Sequence, residues 1–198
     1  MSYAIIGSGN IGKALAHQFA RKNIEVRIAN SRGPETVAAL ARELGNSVIP
    51  VTIDEALSAD LVILAVPNPA VPEIADKVAD WQGHILVDAT NAIDYADFSP
   101  KDLGGRLSSD IIAEAVPSAR VVKAFNTLPA AVLDADPVQD GGHRVVFLSG
   151  NDAAAKADVA RLIADLGYAP LNLGRIDDGG RLAQFGGPLM VHSLIRQG

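Results

Sequence analysis

Residues 3–12 read Tyr3-Ala4-Ile5-Ile6-Gly7-Ser8-Gly9-Asn10-Ile11-Gly12, and the fold of the chain is decided there. The apolar run at the start is typical of a buried strand, and the segment after it, Lys13 to Phe19, has the apolar spacing of a helix. The glycines match the GxGxxG turn that joins a first strand to a first helix where a dinucleotide binds. This stretch therefore predicts a strand, a glycine turn and a helix at the start of an α/β domain.

Each glycine of the turn is expected to have its own task. Gly7 permits a tight turn, Gly9 lets a pyrophosphate approach the backbone, and Gly12 lets the helix pack closely on the strand. The phosphates would bind to free amide groups at the helix N-terminus, where the helix dipole is positive. A chance match is the alternative in a chain with 18 glycines, but the position between a strand and a helix favours a binding site.

The end of the second predicted strand indicates which dinucleotide is bound. In NAD sites an acidic residue usually stands there and hydrogen-bonds the ribose 2′-hydroxyl. Here the sequence reads Asn30-Ser31-Arg32, and a hydroxyl and a guanidinium can bind a 2′-phosphate that a carboxylate would repel. The sequence therefore predicts NADP (NADPH) as the cofactor. The alternative is a solvated turn, because Gly33-Pro34-Glu35 is also a good helix start.

The rest of the chain alternates short apolar strands with helical segments. Strands are predicted at residues 3–6, 25–29, 48–50, 61–66, 84–88, 120–124, 144–149 and 169–173. Helices are predicted at residues 11–22, 34–44, 53–57, 71–78, 110–116 and 152–166. Ser109 is expected to cap the fifth helix, and residues 94–107, which have no clear period, are expected to form a surface excursion.

This alternation, with strands that are apolar on both faces, predicts an α/β fold. We expect a Rossmann-type, doubly wound, mostly parallel sheet that forms an NADP-binding domain over residues 1–174. Residues 175–198 are predicted to be a small helical extension, with a kinked helix over Arg181–Arg196 because a Gly-Gly-Pro sequence interrupts it. Phe185 and Leu189 of this tail are expected to form a lid over the acceptor site.

Composition and charge exclude several classes of function. The net charge is −6 without a run of Lys or Arg, so neither nucleic-acid nor membrane binding is predicted. The chain has no cysteine, which excludes disulfides and thiolate chemistry, and its histidines do not have the spacing of a metal site. No apolar segment is long enough to span a bilayer and no signal-peptide pattern is present, so a cytoplasmic location is expected.

The sequence of the tail also predicts the oligomeric state of the protein. Residues 189–195 are more apolar than one face of a terminal helix on a small domain requires. Exposed apolar surface of this kind tends to form an interface, so a homodimer through the tail is predicted. Burial of these side chains within one subunit is the alternative.

Few residues are candidates to donate a proton beside a nicotinamide. Among the four scattered histidines only His192, on the predicted terminal helix, is a candidate to face the ring. Lys123 precedes a loop at the sheet edge, and a Lys in such a strand is expected to reach solvent. No catalytic residue is therefore predicted. An acceptor ring that delocalises the charge of the hydride can take its proton from water, so its reduction depends on proximity and orientation rather than on an acidic side chain.

Several separated motifs resemble one family. They are Ile6–Gly12, Asn30–Arg32, Ala65–Pro67, Val121–Pro129 and, near the end, Gly174 with Arg181-Leu182. Across nearly its whole length the chain resembles the NADPH-dependent coenzyme F420 (deazaflavin) reductase family. The NADPH domain of the transmembrane ferric reductases is similar too, especially across Lys123 to Thr127.

The resemblance implies roles for particular residues. Beside the three glycines, Ser8, Asn10 and Ile11 would line the cofactor, and Ser31 and Arg32, next to Asn30, would hold its 2′-phosphate. The ribose and nicotinamide would be surrounded by Val66, Pro67, Ala89 and Asn126.

Three functions stay open at this point. The leading hypothesis is an NADPH-dependent oxidoreductase that passes hydride to a small molecule, a flavin-like or deazaflavin acceptor. Its rival is a non-catalytic sensor that binds NADP(H). The third is a reductase of a small carbonyl or imine substrate, although the chain lacks the long helical domain that such dehydrogenases usually add.

Overall fold

The computed structural model of the chain describes residues 1–198. Its strands are β1 (Tyr3–Ile6), β2 (Val26–Ala29), β3 (Val48–Pro50), β4 (Leu61–Leu64), β5 (Ile85–Asp88), β6 (Ile93–Asp94), β7 (Ser99–Pro100), β8 (Arg120–Ala124), β9 (Val138–Gln139), β10 (Gly142–Gly150), β11 (Ala169–Asn172) and β12 (Ile195–Arg196). Its α-helices are α1 (Asn10–Arg21), α2 (Ala38–Leu44), α3 (Ile53–Leu57), α4 (Val71–Ala75), α5 (Ser108–Ala115), α6 (Ala130–Asp134) and α7 (Ala153–Asp165). Single turns of 3₁₀ helix lie at Pro34–Thr36, Asn68–Ala70 and Gly179–Ala183.

The central sheet has the order β11-β10-β8-β5-β4-β1-β2-β3. Six neighbouring strands of this sheet, β3, β2, β1, β4, β5 and β8, are parallel to one another. Beyond them, β10 pairs antiparallel with β8, and β11 pairs parallel with β10. From β1 the chain moves outward to β2 and β3, then returns to β4 on the other side. This order confirms the predicted Rossmann-type fold and places a switch point at the carboxyl ends of β1 and β4, where such sheets bind ligands.

The core lies in two layers, one on each side of the sheet. Ile5, Ile28 and Ile63 point into a layer of 28 buried residues that includes the inner faces of α1 and α7. Their neighbours Ile6 and Leu64 point into a layer of 18 residues beneath α3, α4 and α5. Because each fully buried Ile or Leu contributes about 1.5–3 kcal/mol, this two-sided burial holds the strand ends that form the site.

The predicted strands are all present, with ends that differ by at most two residues. The sixth predicted helix begins as expected, since Asp152 caps α7 by accepting a hydrogen bond from the Ala155 amide (2.7 Å). The cap predicted at Ser109 is wrong: α5 begins at Ser108, two residues before the predicted start, and the Ser109 hydroxyl donates to Asp88 instead (3.1 Å). The excursion at 94–107 contains the small hairpin β6–β7.

The kinked helix predicted over Arg181–Arg196 is also wrong. After the 3₁₀ turn the tail runs irregularly and ends in β12, which pairs antiparallel with β10. Pro188 and the two glycines before it oppose a regular helix, and the tail amides find partners elsewhere: the Val191 amide donates to the Thr127 carbonyl (2.9 Å). The tail is thereby joined to the loop after β8. The domain boundary at residue 174 stays a prediction.

No helix of the structure is both long and apolar enough to cross a membrane. The longest, α7, has 13 residues, whereas a spanning helix needs about 20. The cytoplasmic location stays a prediction of the sequence.

The junction between β1 and α1 is too tight for any residue but glycine at two positions. Gly7 has a φ of +115°, and a Cβ built on it would overlap the carbonyl group of Ala65. A Cβ on Gly12 would overlap the carbonyl group of Gly7. A Cβ on Gly9, in contrast, would meet nothing within 4 Å. Gly7 and Gly12 are therefore needed by the fold itself, whereas Gly9 faces open space.

This contrast gives a matched pair of variants. We expect Gly12→Ala to lower the free energy of unfolding by about 1–3 kcal/mol or more, because α1 must move away from β1. Gly9→Ala should lower the free energy of unfolding by less than about 1 kcal/mol, because alanine is a poorer N-cap residue than glycine but its Cβ meets no other atom. Denaturant unfolding of both variants measures the difference, and equal losses would contradict the close-approach argument.

Candidate functional site

A cleft of about 310 Å³ lies at the carboxyl ends of β1, β2 and β4. The glycine turn before α1 and the turn after β2 form one side of it, and the segment from β4 to α4 forms the other. Eight of the residues predicted from sequence line this cleft: Gly7, Ser8, Gly9, Asn30, Ser31, Arg32, Val66 and Pro67. Of the other lining residues, two are charged, Glu73 and Lys77, and the rest are apolar: Ile6, Ile53, Ala65, Ala70 and Ile74.

A second cleft of about 210 Å³ continues the first toward β5. The two share Gly9 and the residues after β4, so they form one groove across the switch point. Three further predicted residues, Asn10, Ile11 and Ala89, line this second part. The groove is therefore extended, with Arg32 at one end and Ala89 at the other, which suits a ligand with two bulky ends joined over a helix terminus.

The N-terminus of α1 faces the middle of this groove. Gly9 is the capping residue, and no side chain hydrogen-bonds the first-turn amides. There is also no acidic residue in that turn. The first amide groups of a helix have no partner within it, so those of Asn10 and Ile11 are free to bind phosphate oxygens, helped by the positive end of the helix dipole.

Asn30 links the glycine turn to the turn after β2. Its Nδ2 donates to the Ser8 hydroxyl (2.7 Å) and to the Thr36 hydroxyl (2.9 Å), and its Oδ1 accepts from the Arg32 amide (2.8 Å). Asn30 is nearly buried, whereas Ser31 and Arg32 are exposed. The Arg32 guanidinium makes no ion pair within the chain, so it is available to an anionic group. Sequence reasoning missed Thr36, whose role depends on a contact that spacing does not show.

A buried network stands beneath the other end of the groove. Asp88, which is fully buried, accepts from the Lys123 ammonium (2.9 Å) and from the amide and hydroxyl of Thr90 (2.9 and 2.7 Å). Lys123 also donates to the Thr90 carbonyl (2.5 Å). The expectation that Lys123 reaches solvent is wrong: the parallel pairing of β5 and β8 sets it opposite Asp88, and the carboxylate provides its counter-ion. Both charges hold the loop that forms this wall.

Asn126 lies behind the groove and does not line it. Its Nδ2 donates to Asn91 Oδ1 (3.1 Å) and to the Ala183 carbonyl (2.8 Å), while Asn91 donates back to the Asn126 carbonyl (2.9 Å). Asn126 thus connects Asn91, which does line the groove, to the tail. The preceding residue, Phe125, is buried with a φ of +63°, a backbone conformation rare for a bulky residue. Contact between Asn126 and a cofactor stays a prediction.

The tail residues predicted to cover the acceptor lie away from the groove. Leu189 packs against a small cluster that includes Val145 and Phe147 of β10, and Phe185 lines a separate pocket of about 270 Å³. His192 is exposed in the irregular part of the tail and lines neither part of the groove. The lid stays a prediction.

One titratable residue near the Ala89 end was missed by sequence reasoning. Tyr95, just after β6, lines the groove together with Thr90 and Asn91. It belongs to the excursion that has no periodic pattern, so only its aromatic side chain could have drawn attention to it. No His, Lys, Arg, Asp or Glu lines this end.

Comparisons with known proteins agree with this geometry. Residues 2–92 match the model of a family described as coenzyme F420-dependent NADP oxidoreductases. The hypothetical protein SMa0349 from Sinorhizobium meliloti has a crystal structure 52% identical in sequence, covering 99% of this chain and 96% of that one, with a TM-score of 0.97.

Two further relatives carry functional names. A protein from Arthrobacter sp. FB24, provisionally assigned as an F420-dependent NADP reductase, is 30% identical over 89% of this chain and 86% of its own, with a TM-score of 0.73. The metalloreductase STEAP3 of Rattus norvegicus is 27% identical over 173 residues, which is 87% of this chain. The chain spans about a third of the length of that metalloreductase.

The buried Asp88–Lys123 pair gives a prediction about stability. Lys123→Met should lower the free energy of unfolding by about 3–5 kcal/mol, because Asp88 is left buried without a counter-ion. Adding Asp88→Asn removes that charge, so the double variant should be more stable than Lys123→Met alone. Denaturant unfolding measures both, with Lys22→Met, an exposed lysine without an ion pair, as the control. A loss no larger than that of the control would show that the pair is dispensable.

Proposed function

Because the chain belongs to the family of coenzyme F420-dependent NADP oxidoreductases, we propose that it binds NADPH and passes hydride to a flavin-like or deazaflavin acceptor. The observation that carries this proposal is the asymmetry of the groove. One end has a free guanidinium, and the other is walled by apolar and amide groups without a charged side chain. A cofactor site and an acceptor site of different chemistry thus adjoin.

The Arg32 end supports NADPH over NADH. Ser31 and Arg32 are exposed at the position where an NAD site has an acidic residue that binds the ribose 2′-hydroxyl. The Asn30 side chain accepts a hydrogen bond from the Arg32 amide and so fixes the backbone there. A guanidinium binds phosphate oxygens in a bidentate, charge-assisted manner. With the adenosine end there, the pyrophosphate would lie on the first turn of α1 and the nicotinamide beside Ala89 and Thr90.

The Ala89 end supports an acceptor that needs no enzyme acid. Hydride transfer to a carbonyl or imine requires a proton donor within hydrogen-bond reach, and the only titratable side chain lining this end is Tyr95. A flavin-type ring delocalises the charge it receives and can take its proton from water. Catalysis would then come from holding two rings in contact, and well-oriented reactants account for about 7 kcal/mol or more of a barrier.

The cofactor assignment is tested at Arg32. Arg32→Ala should weaken NADPH binding about ten- to a hundredfold, or roughly 1.5–3 kcal/mol, since it removes a charge-assisted contact. NADH binding should change little. Calorimetric titration measures both cofactors, with Arg42→Ala, an exposed arginine on α2 away from the cofactor cleft, as the matched control. Equal affinity of the unaltered protein for NADH and NADPH would overturn the assignment.

The reaction is tested by stopped-flow absorbance of NADPH with riboflavin, flavin mononucleotide, the deazaflavin and ferric chelates. We expect turnover with a planar ring, and a rate that varies little from about pH 6 to 8 because no charged side chain lines the acceptor end. His192→Ala should keep most of the activity. Tight NADPH binding without turnover of any acceptor would favour the sensor, and a steep pH profile would favour a carbonyl or imine substrate.

We also propose that the chain forms a homodimer through its tail. Leu182, Val191 and Leu194 are 44%, 68% and 46% exposed, although all three are large and apolar. Their exposure on one segment suits an interface with a second copy. Light scattering at micromolar concentration should give the mass of a dimer, and Val191→Asp should shift it toward a monomer. A monomer for the unaltered protein would remove this proposal.

A further inference from the structure

Two aromatic side chains on the β6–β7 hairpin have no role in the fold. Tyr95 is 57% exposed and Phe98 is 68% exposed, whereas every other Phe, Tyr and Trp of the chain is buried or half-buried. Their rings stand 6.2 Å apart at an interplanar angle of 90°, an edge-to-face arrangement that aromatic pairs favour. Since neither ring packs into the core, the pair is available to a ligand.

The position of the hairpin indicates which ligand. Tyr95 lines the same part of the groove as Ala89, Thr90 and Asn91, the end at which the proposed function places the nicotinamide. The main-chain bond from the Lys101 amide to the Ala92 carbonyl (3.0 Å) closes the base of the hairpin. The ring of Tyr95 is thus held at the mouth of the acceptor end, and Phe98 supports it from outside.

We propose that Tyr95 is a binding residue for the hydride acceptor, and that the planar ring of the flavin-like acceptor named in the proposed function stacks on the Tyr95 side chain. This inference rests on the proposed function, because it takes the Ala89 end of the groove as the acceptor site. An aromatic face binds flat ring systems by stacking and gives little to a small aliphatic carbonyl compound. Tyr95 therefore selects the acceptor by shape.

The charges around the two rings indicate which planar acceptors bind best. Asp94 and Asp97 flank them, and hydrogen bonds from the Ser99 hydroxyl and amide hold the pKa of Asp97 below its ordinary value. At neutral pH the hairpin therefore presents a negative charge beside the rings. A ring with an uncharged side chain, such as that of riboflavin, avoids the repulsion that an anionic chelate would meet, so riboflavin is the probe of choice.

The phenol of Tyr95 could alternatively serve as an acid, and two variants separate the two roles. Tyr95→Phe keeps the ring and removes the hydroxyl, whereas Tyr95→Ala removes both. Stacking predicts that Tyr95→Phe binds riboflavin within about twofold of the unaltered protein, while Tyr95→Ala binds it about tenfold more weakly or worse. Proton donation by the phenol predicts a large loss in kcat for both.

The experiment uses the full chain loaded with NADP⁺. Riboflavin is titrated in and its binding is followed by calorimetry, which measures affinity whichever aromatic residue occupies position 95. The same variants are then assayed for NADPH oxidation, where Tyr95→Ala should raise KM for riboflavin about tenfold and change kcat little. NADPH affinity should be unaltered in every variant. Leu171→Ala, at a 40% exposed apolar residue on β11 that does not line the groove, is the control.

The outcomes distinguish the inference from the function on which it rests. Riboflavin binding that is weakened in Tyr95→Ala but kept in Tyr95→Phe supports the stacking site, even if no hydride is transferred and the proposed reaction fails. Riboflavin reduction that is insensitive to Tyr95→Ala overturns the inference and leaves the reaction standing. Absence of riboflavin binding to the loaded protein, or loss of activity in Tyr95→Phe, also overturns it.

Discussion

The close approach of α1 to β1 is the constraint on which the rest of the structure depends. Gly12 lies against the carbonyl group of Gly7, and Gly7 in turn lies against Ala65 at the end of β4. These contacts fix the helix terminus relative to both strands at the switch point. A side chain at either glycine would push the terminus outward, and the free amides of its first turn would no longer face the groove. The same contacts therefore determine both the fold and the proposed phosphate site.

The two ends of the groove are held by different kinds of interaction. At one end a neutral amide, Asn30, makes three short hydrogen bonds and leaves the neighbouring guanidinium free. At the other end a buried ion pair, Asp88 and Lys123, fixes Thr90 through its amide, hydroxyl and carbonyl. Breaking a buried pair is far more costly than losing one neutral hydrogen bond. The wall beside Ala89 is therefore expected to be the more rigid of the two.

The sequence predicts most of the scaffold because local patterns determine it. The apolar runs of β1, β4 and β8 and the glycine spacing identify the βαβ units, and eleven of the thirteen predicted site residues line the groove, with Gly12 and Asn126 behind it. The predictions are wrong where contacts between residues far apart in sequence determine the structure. Lys123 is buried because β5 sets a carboxylate opposite it, and the tail finds its backbone partners on β10 and Thr127 rather than within a helix. The proposed role of Tyr95 depends on the path of a loop without a periodic pattern, which the sequence does not predict.

The different roles of Asn30 and of its neighbours Ser31 and Arg32 have an evolutionary consequence. Asn30 is committed to Ser8 and Thr36, so its replacement would disturb the glycine turn together with its neighbours. Ser31 and Arg32 are exposed and hold nothing else in place through their side chains. If these two residues select the cofactor as proposed, mutations there would alter that selection without destabilising the fold, whereas mutations at Asn30 would do both. Natural variation in preference should therefore accumulate at Ser31 and Arg32 while Asn30 stays under purifying selection.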